Sequence, residues 1–266
     1  MESRVRLNCP AGCDAELEPM ARWAPYLTCP ACGTGVTRTA EDEAYWGQHV
    51  EPSPAQLAFW GGRHRQWEAT VGEGHGRRLV DVGSGFGHFV QWADRHGWDA
   101  WGVEPDPWAR GNSIAPDRVV ASLSDVPAPF DHVTLWDVLE HVPRPIELLT
   151  ELLELLRPGG RVLVCSPNFA SMKLRWPLLR RTPSRFNDVI QPAEHCTQFT
   201  EKGVCLALQR AGFEELARLR PPMSRSHGLA GRALDVAVRL APTLRKGLFV
   251  VGRRPRPSGD QGATLR

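Results

Sequence analysis

The sequence has no run of 18 or more apolar residues, which argues against a membrane-spanning helix. Its first residues, MESRVRLNCPAGC, lack the apolar core of a secretory leader. Net charge is also scarce: Lys+Arg 32 against Asp+Glu 30 leaves +2, so no global field points to nucleic acid. Lysine is confined to Lys173, Lys202 and Lys246, the other basic residues being arginines. No internal repeat or low-complexity stretch precedes the tail 254–266, which is expected to be disordered. These absences predict a soluble, cytoplasmic protein. With 42% hydrophobic residues, the 266-residue chain has enough apolar material for one full α/β domain and a small appendage.

A disulfide framework is missing too. Four of the seven cysteines fall within the first 32 residues, while Cys165, Cys196 and Cys205 are scattered and read as small buried residues. In a reducing compartment, clustered thiols are more often metal ligands than bridges. Cys9-x3-Cys13 and, fifteen residues on, Cys29-x2-Cys32 are two close pairs, each able to curl around one side of a tetrahedral ion. Pro10 and Gly12, then Pro30 and Gly33, supply the turns. Four thiolates leave no position for substrate, so the expected zinc is structural, and residues 1–40 resemble a zinc ribbon.

Residues 41–76 read as a helical linker or lid. A helix is expected over Pro54–Thr70, with Leu57, Trp60 and Trp67 spaced for one face. His49, His64 and His75 look exposed and are not expected to be ligands.

From residue 77 to 253 the pattern is that of a nucleotide-cofactor domain. Arg78–Val82 is a strand running into Gly83-Ser84-Gly85-Phe86-Gly87 and then a helical pattern to His96. A second strand, Ala100–Val103, ends at Glu104, where a carboxylate is placed to accept ribose hydroxyls. Leucines at 149, 152, 153 and 156, with Ile146, form a stripe for packing on a sheet, and Pro158-Gly159-Gly160 turns into a strand at Arg161–Cys165.

A dinucleotide enzyme normally writes GxGxxG. This chain instead writes ValAspValGlySerGlyPheGly (80–87), then GlyValGluProAsp (102–106), PheAspHisValThrLeuTrpAspValLeuGluHisVal (130–142) and LeuArgProGlyGlyArgValLeuValCysSerProAsn (156–168). In this succession, over roughly residues 78–219, the chain closely resembles the class I S-adenosylmethionine-dependent methyltransferases. The resemblance implies a seven-stranded, mostly parallel, doubly wound Rossmann-like α/β sheet, with the last strand, near Gly247–Arg253, antiparallel. It implies that Asp81 faces the methionine amino group of S-adenosylmethionine, that Gly83, Ser84, Gly85 and Gly87 line the cofactor, and that Glu104 binds its ribose. The adenine contact falls at Ser122, where the family usually has Asp, with the Leu123 amide and Asp125 as alternatives. Trp136 and Asp137 would close the fourth strand beside the sulfonium.

Transfer of an already electrophilic methyl needs alignment and exclusion of water, plus a base where the acceptor is a hydroxyl. His141 and His195 are the two candidates, each weighed against a purely structural role. The acceptor side is expected in two insertions, 168–195 and 220–246, both bearing arginines; between Leu216 and Arg256 there are ten basic residues and one acid, Asp235. A solvated amphipathic face, an anionic acceptor, RNA and an acidic membrane surface all suit that bias. Methyl transfer to a small molecule (a sugar, glycan precursor or specialised metabolite, with oxygen favoured) is the preferred reading. Ribosomal RNA methylation by a zinc-containing enzyme is the alternative, disfavoured by the absence of an AsnProProTyr-type signature. A non-catalytic cofactor-binding interaction protein stands third.

Overall fold

The computed structural model describes residues 8–20, 26–37, 52–179, 195–219, 245 and 247–257. Residues 258–266 of the expected tail, the segment 220–244, residues 180–194 and His49 lie outside the described residues, whereas Arg254, expected in that tail, is held to the domain by donating to Gly160 O, Leu153 O and Leu156 O at 2.8, 2.9 and 2.6 Å.

Seven strands build the main sheet: β4 (Arg78–Val82), β5 (Asp99–Val103), β6 (Val119–Val120), β7 (Phe130–Trp136), β8 (Leu156–Pro167), β10 (Glu214–Arg218) and β11 (Gly247–Arg253). Their order is β10-β11-β8-β7-β4-β5-β6. The β8, β7, β4, β5 and β6 pairings are parallel, while β11 runs antiparallel to both β8 and β10, as the sequence led us to expect. The apolar runs explain this arrangement. Leu79 and Val80 of β4, Val133 and Leu135 of β7 and Val162 and Val164 of β8 are buried, as a sheet covered on both faces requires.

Helices α1 (Pro54–Val71), α2 (His88–Arg95), α3 (Pro107–Gly111), α4 (Pro145–Leu155), α5 (Phe169–Leu179) and α6 (Glu201–Arg210) flank the sheet strands in the chain. The leucine stripe of α4 packs as its spacing predicts, with Leu149 and Leu152 fully buried. The strand after it is longer than expected, because Leu156 already pairs with Phe130 and a register shift absorbs the Pro-Gly-Gly turn.

A second sheet joins the N-terminal segment to the rest. Its order is β1 (Glu18–Pro19), β2 (Tyr26–Thr28), β3 (Gly35–Thr37) and β9 (Thr197–Gln198), so two residues from far along the chain complete it. Val36 pairs with Thr197 and Gly35 with Gln198.

The structure overturns one expectation about histidines. His75 is exposed, but His64 is 6% exposed and lies among Phe89, Trp92 and Trp136, at centroid distances of 4.5, 5.4 and 5.3 Å. Burial, then the Arg63 charge, pushes its pKa down to about 3, so it is a neutral core aromatic. Trp67, one turn further on, is 2% exposed against Trp98, Phe89 and His132. Helix α1, started by a Ser53–Gln56 capping box, is thereby packed into the main core; burial of Trp67 alone is worth roughly 2–3 kcal/mol.

Candidate active site

The carboxyl ends of β4, β5 and β7 converge on the glycine loop. Gly83 and Ser84 both donate backbone bonds to Val103 O, at 2.8 and 3.1 Å, stitching the loop to the end of β5. Gly83 has φ +70, and a Cβ there would lie 2.6 Å from Val138, so only glycine lets the loop pass under the segment after β7. At Gly85, φ +53, a Cβ would meet nothing within 4 Å: the loop borders open space. Gly87 begins α2, and Ser84 packs its hydroxyl toward Gly102.

Glu104 is 5% exposed and holds this loop in place. One oxygen accepts from Gly85 N at 2.7 Å and the other from Asp106 N at 2.9 Å. Burial raises its pKa while those two amides lower it. Each oxygen keeps further acceptor capacity, so the residue can anchor the loop and still bind a ligand hydroxyl. Asp81 is buried and accepts from the Thr134 hydroxyl at 2.7 Å. Burial pushes its pKa up to about 8; the Thr134 bond lowers it and the Glu104 charge raises it further.

Ser122, Leu123 and Asp125 share one short turn after β6, Leu123–Asp125 being a single 3-10 turn. The Ser122 hydroxyl caps it, accepting from Ser124 N at 3.2 Å. All three adenine-side candidates therefore stand together.

Beyond β7, Trp136 packs edge-on against Phe89 and His64. Asp137 follows with φ +55 and is gripped by Arg63 from α1, Nη1 to Oδ2 at 2.6 Å and Nη2 to Oδ1 at 3.2 Å. Arg63 also donates to Cys165 Sγ and lies 5.4 Å from the Trp136 ring centre and 5.3 Å from that of Phe249. The neighbouring Asp137 and the buried thiol hold its pKa above the ordinary arginine value despite burial.

The turn Leu139–His141 comes next. Glu140 is 1% exposed, and neither carboxyl oxygen makes a hydrogen bond of normal geometry, although the Ser166 hydroxyl lies close enough to lower its pKa. Burial, then the Asp137 charge, raises that pKa well above the carboxylate range. His141 and His195, 54 positions apart in sequence, meet edge-to-face with ring centres 4.7 Å apart. The Cys196 thiol donates to His141 O at 3.5 Å and ties the two segments together.

His195 leads directly into β9, so the N-terminal module holds its segment. Thr200 Oγ1 donates to Cys32 O at 2.7 Å while accepting from Gly203 N at 3.0 Å to cap α6. Lys202 and Lys173 donate to Ala31 O and Gly33 O at 2.7 and 3.0 Å. Within the module, the two knuckles close through Gly12 N to Cys9 O at 2.9 Å and Gly33 N to Cys29 O at 2.8 Å. The four sulfurs of Cys9, Cys13, Cys29 and Cys32 all lie within 4.8 Å of one another, Cys9 and Cys32 being 3.6 Å apart. Tetrahedral zinc with bonds of about 2.3 Å sets its sulfurs roughly 3.8 Å apart, so the cluster fits that ion.

Of the residues expected from sequence, Asp81, the glycine loop and Glu104 stand together at the ends of β4 and β5, His141 meets His195, and the four cysteines cluster. Arg63 and Glu140 were not anticipated. Nothing local marks Arg63, a polar residue on a helix read as a linker; Glu140 belongs to the Glu-His pair of the quoted motif, which reads as a helix-start or cofactor-pocket element.

Residues 56–217 match the family described as a methyltransferase domain. An uncharacterized methyltransferase of Mycolicibacterium paratuberculosis is 42% identical over 104 residues, 35% of this chain and 41% of that protein. A ubiquinone biosynthesis O-methyltransferase of Xanthomonas campestris is 29% identical over 140 residues, 48% of this chain and 54% of that protein. The chain thus spans about half the length of these curated relatives or less. The solved S-adenosylmethionine-dependent methyltransferase of Archaeoglobus fulgidus superposes with a TM-score of 0.50 at 16% identity, covering 74% of this chain and 94% of that one, a likeness of fold. With the family match over the strand–glycine loop–helix unit and the sheet that carries it, the chain belongs to the S-adenosylmethionine-dependent methyltransferases.

Proposed function

We propose that this enzyme methylates an oxygen of a small-molecule acceptor, with Asp81, the loop Gly83–Gly87, Glu104, the Ser122–Asp125 turn, Trp136 and Asp137 forming the cofactor side. The observation that carries the reading is the meeting of His141 and His195 beside the turn that packs over the glycine loop. S-adenosylmethionine supplies an electrophilic methyl group, so the protein's work is to orient, to keep water out and to receive a proton. Asp81 would pair with the cofactor's ammonium, Glu104 with the ribose hydroxyls, and the Ser122–Asp125 turn would lie against adenine. The proton of the acceptor hydroxyl would leave at the site where the two histidines meet, to an imidazole or, where both imidazoles ligate a cation, to solvent. That a partial relative is a ubiquinone biosynthesis O-methyltransferase favours oxygen as the accepting atom.

The four-Cys module is assigned a structural zinc. Its strand β3 and its carbonyls hold the 195–203 segment, so it braces the acceptor side. Arginines of the two insertions would grip an anionic group of the acceptor.

The deciding experiment incubates the protein and methyl-labelled cofactor with fractionated cell extract. Label should appear in the small-molecule fraction. Label in ribosomal RNA would support the alternative and make the module an RNA grip. Alanine at His141 and at His195, one at a time, should lower turnover while cofactor affinity stays near normal. Full activity in both variants removes the histidines from the mechanism.

A further inference from the structure

Glu140, His141 and His195 bring three donor atoms within 4.8 Å of one another. Two come from one turn and the third from the segment clamped by the N-terminal module. Donors around a common first-row divalent ion, with bonds of about 2.0–2.2 Å, stand roughly 3–4 Å apart, so small side-chain rotations close this set.

The burial pattern points the same way. Glu140 is 1% exposed, and its two oxygens lack hydrogen-bond partners of normal geometry. Leaving a carboxyl group so placed is costly unless a positive charge or a donor meets it. Arg63, on the helix packed beside this turn, is already forked onto Asp137 and bonded to Cys165. His141 is only partly buried whereas Glu140 and His195 are buried, so the set is closed behind and open in front. Three protein ligands and an open face characterise a reactive metal site, in contrast to the closed set of four thiolates.

We infer that Glu140, His141 and His195 bind a divalent transition-metal cation that receives the acceptor's oxygen. The cation site stands on geometry alone, while its role toward the acceptor rests on the small-molecule O-methylation reading. A cation there favours ionisation of the acceptor hydroxyl. The hydroxyl proton passes to solvent, an oxygen electron pair forms the new bond to the methyl carbon, and the carbon–sulfur bond breaks with its pair remaining on sulfur. No oxidant or reductant takes part.

The test is titration of the full, zinc-loaded chain with cobalt(II), read by equilibrium dialysis and visible absorption without any acceptor. Wild-type protein should take up one cobalt beyond its zinc, with weak d–d bands and no sulfur-to-cobalt charge transfer. Glu140→Gln should weaken uptake by at least about tenfold, and His195→Ala likewise, with S-adenosylmethionine affinity near wild type in both. If Glu140→Gln does not fold, His195→Ala decides. The inference is overturned if the wild-type chain binds no cobalt beyond the thiolate site, or if the folded variants bind it as tightly as wild type. Since no turnover is measured, this failure is distinct from label appearing in RNA, which would count against the acceptor reading alone.

Discussion

Arg63 and Asp137 form a two-pronged ion pair across 74 residues of chain, linking the first long helix to the left-handed residue that follows β7. The Arg63 side chain is 11% exposed and that of Asp137 40%, so solvent weakens the pair from one side only. Arg63→Ala should cost about 2 kcal/mol in denaturant unfolding, a value trimmed from the range for fully buried pairs. Lysine should recover little, because a point charge cannot reproduce the fork or lie over the Trp136 and Phe249 rings. Wild-type stability in Arg63→Ala would show the pair to be incidental.

Glu104→Ala should weaken S-adenosylmethionine binding by about tenfold or more, since charge-assisted hydrogen bonds are worth about 1.5–3 kcal/mol each. Two losses combine: the ligand hydroxyls lose their acceptor, and Gly85 loses the bond that holds the loop. Calorimetry giving equal affinities for the variant and wild type would contradict the pocket.

The pKa of about 8 at Asp81 gives a pH test. An unfolded Asp titrates at about 4, so between roughly pH 4 and pH 8 the cofactor-free folded chain holds a proton that the unfolded chain has lost. This residue's contribution to stability therefore falls as pH rises across that window. Pairing with the cofactor's ammonium would favour the ionised form, so binding at pH 7 should release a proton. Calorimetry in buffers of different ionisation enthalpy should show a buffer-dependent heat, absent in Asp81→Asn; a buffer-independent heat in wild type sinks the pairing.

Cys9→Ala combined with Cys29→Ala should abolish bound zinc by elemental analysis. Because β3 and Cys32 O hold Thr197 and Thr200, amide exchange across 195–203 should quicken and turnover should drop, with cofactor binding near normal. Unchanged zinc content would remove the thiolate assignment.

Much of this enzyme is local and therefore legible in one dimension. The strand–glycine loop–helix unit, the carboxylate at the end of the next strand and the leucine stripe of α4 all follow from short-range period, turn chemistry and spacing, while the antiparallel β11 was implied by the family resemblance. The paired cysteines read equally well, since knuckle geometry is set within a few residues. What stayed hidden depends on which distant surfaces touch. A polar Arg63 looks the same on a free helix as on one packed into the core, and only burial of Trp67 and His64 turns it toward Asp137. His141 and His195 are each legible in sequence as candidate bases, but nothing in sequence says that they meet. That required β9 to pair with β3, a pairing of two residues per strand, too short to leave a periodic signal. The sequence by itself determined the cofactor domain and the thiolate cluster, because their chemistry is written in contiguous motifs. Tertiary structure alone decided that the cysteine module holds the 195–203 segment and that Glu140 lies buried against two histidines, because long-range packing assembles both.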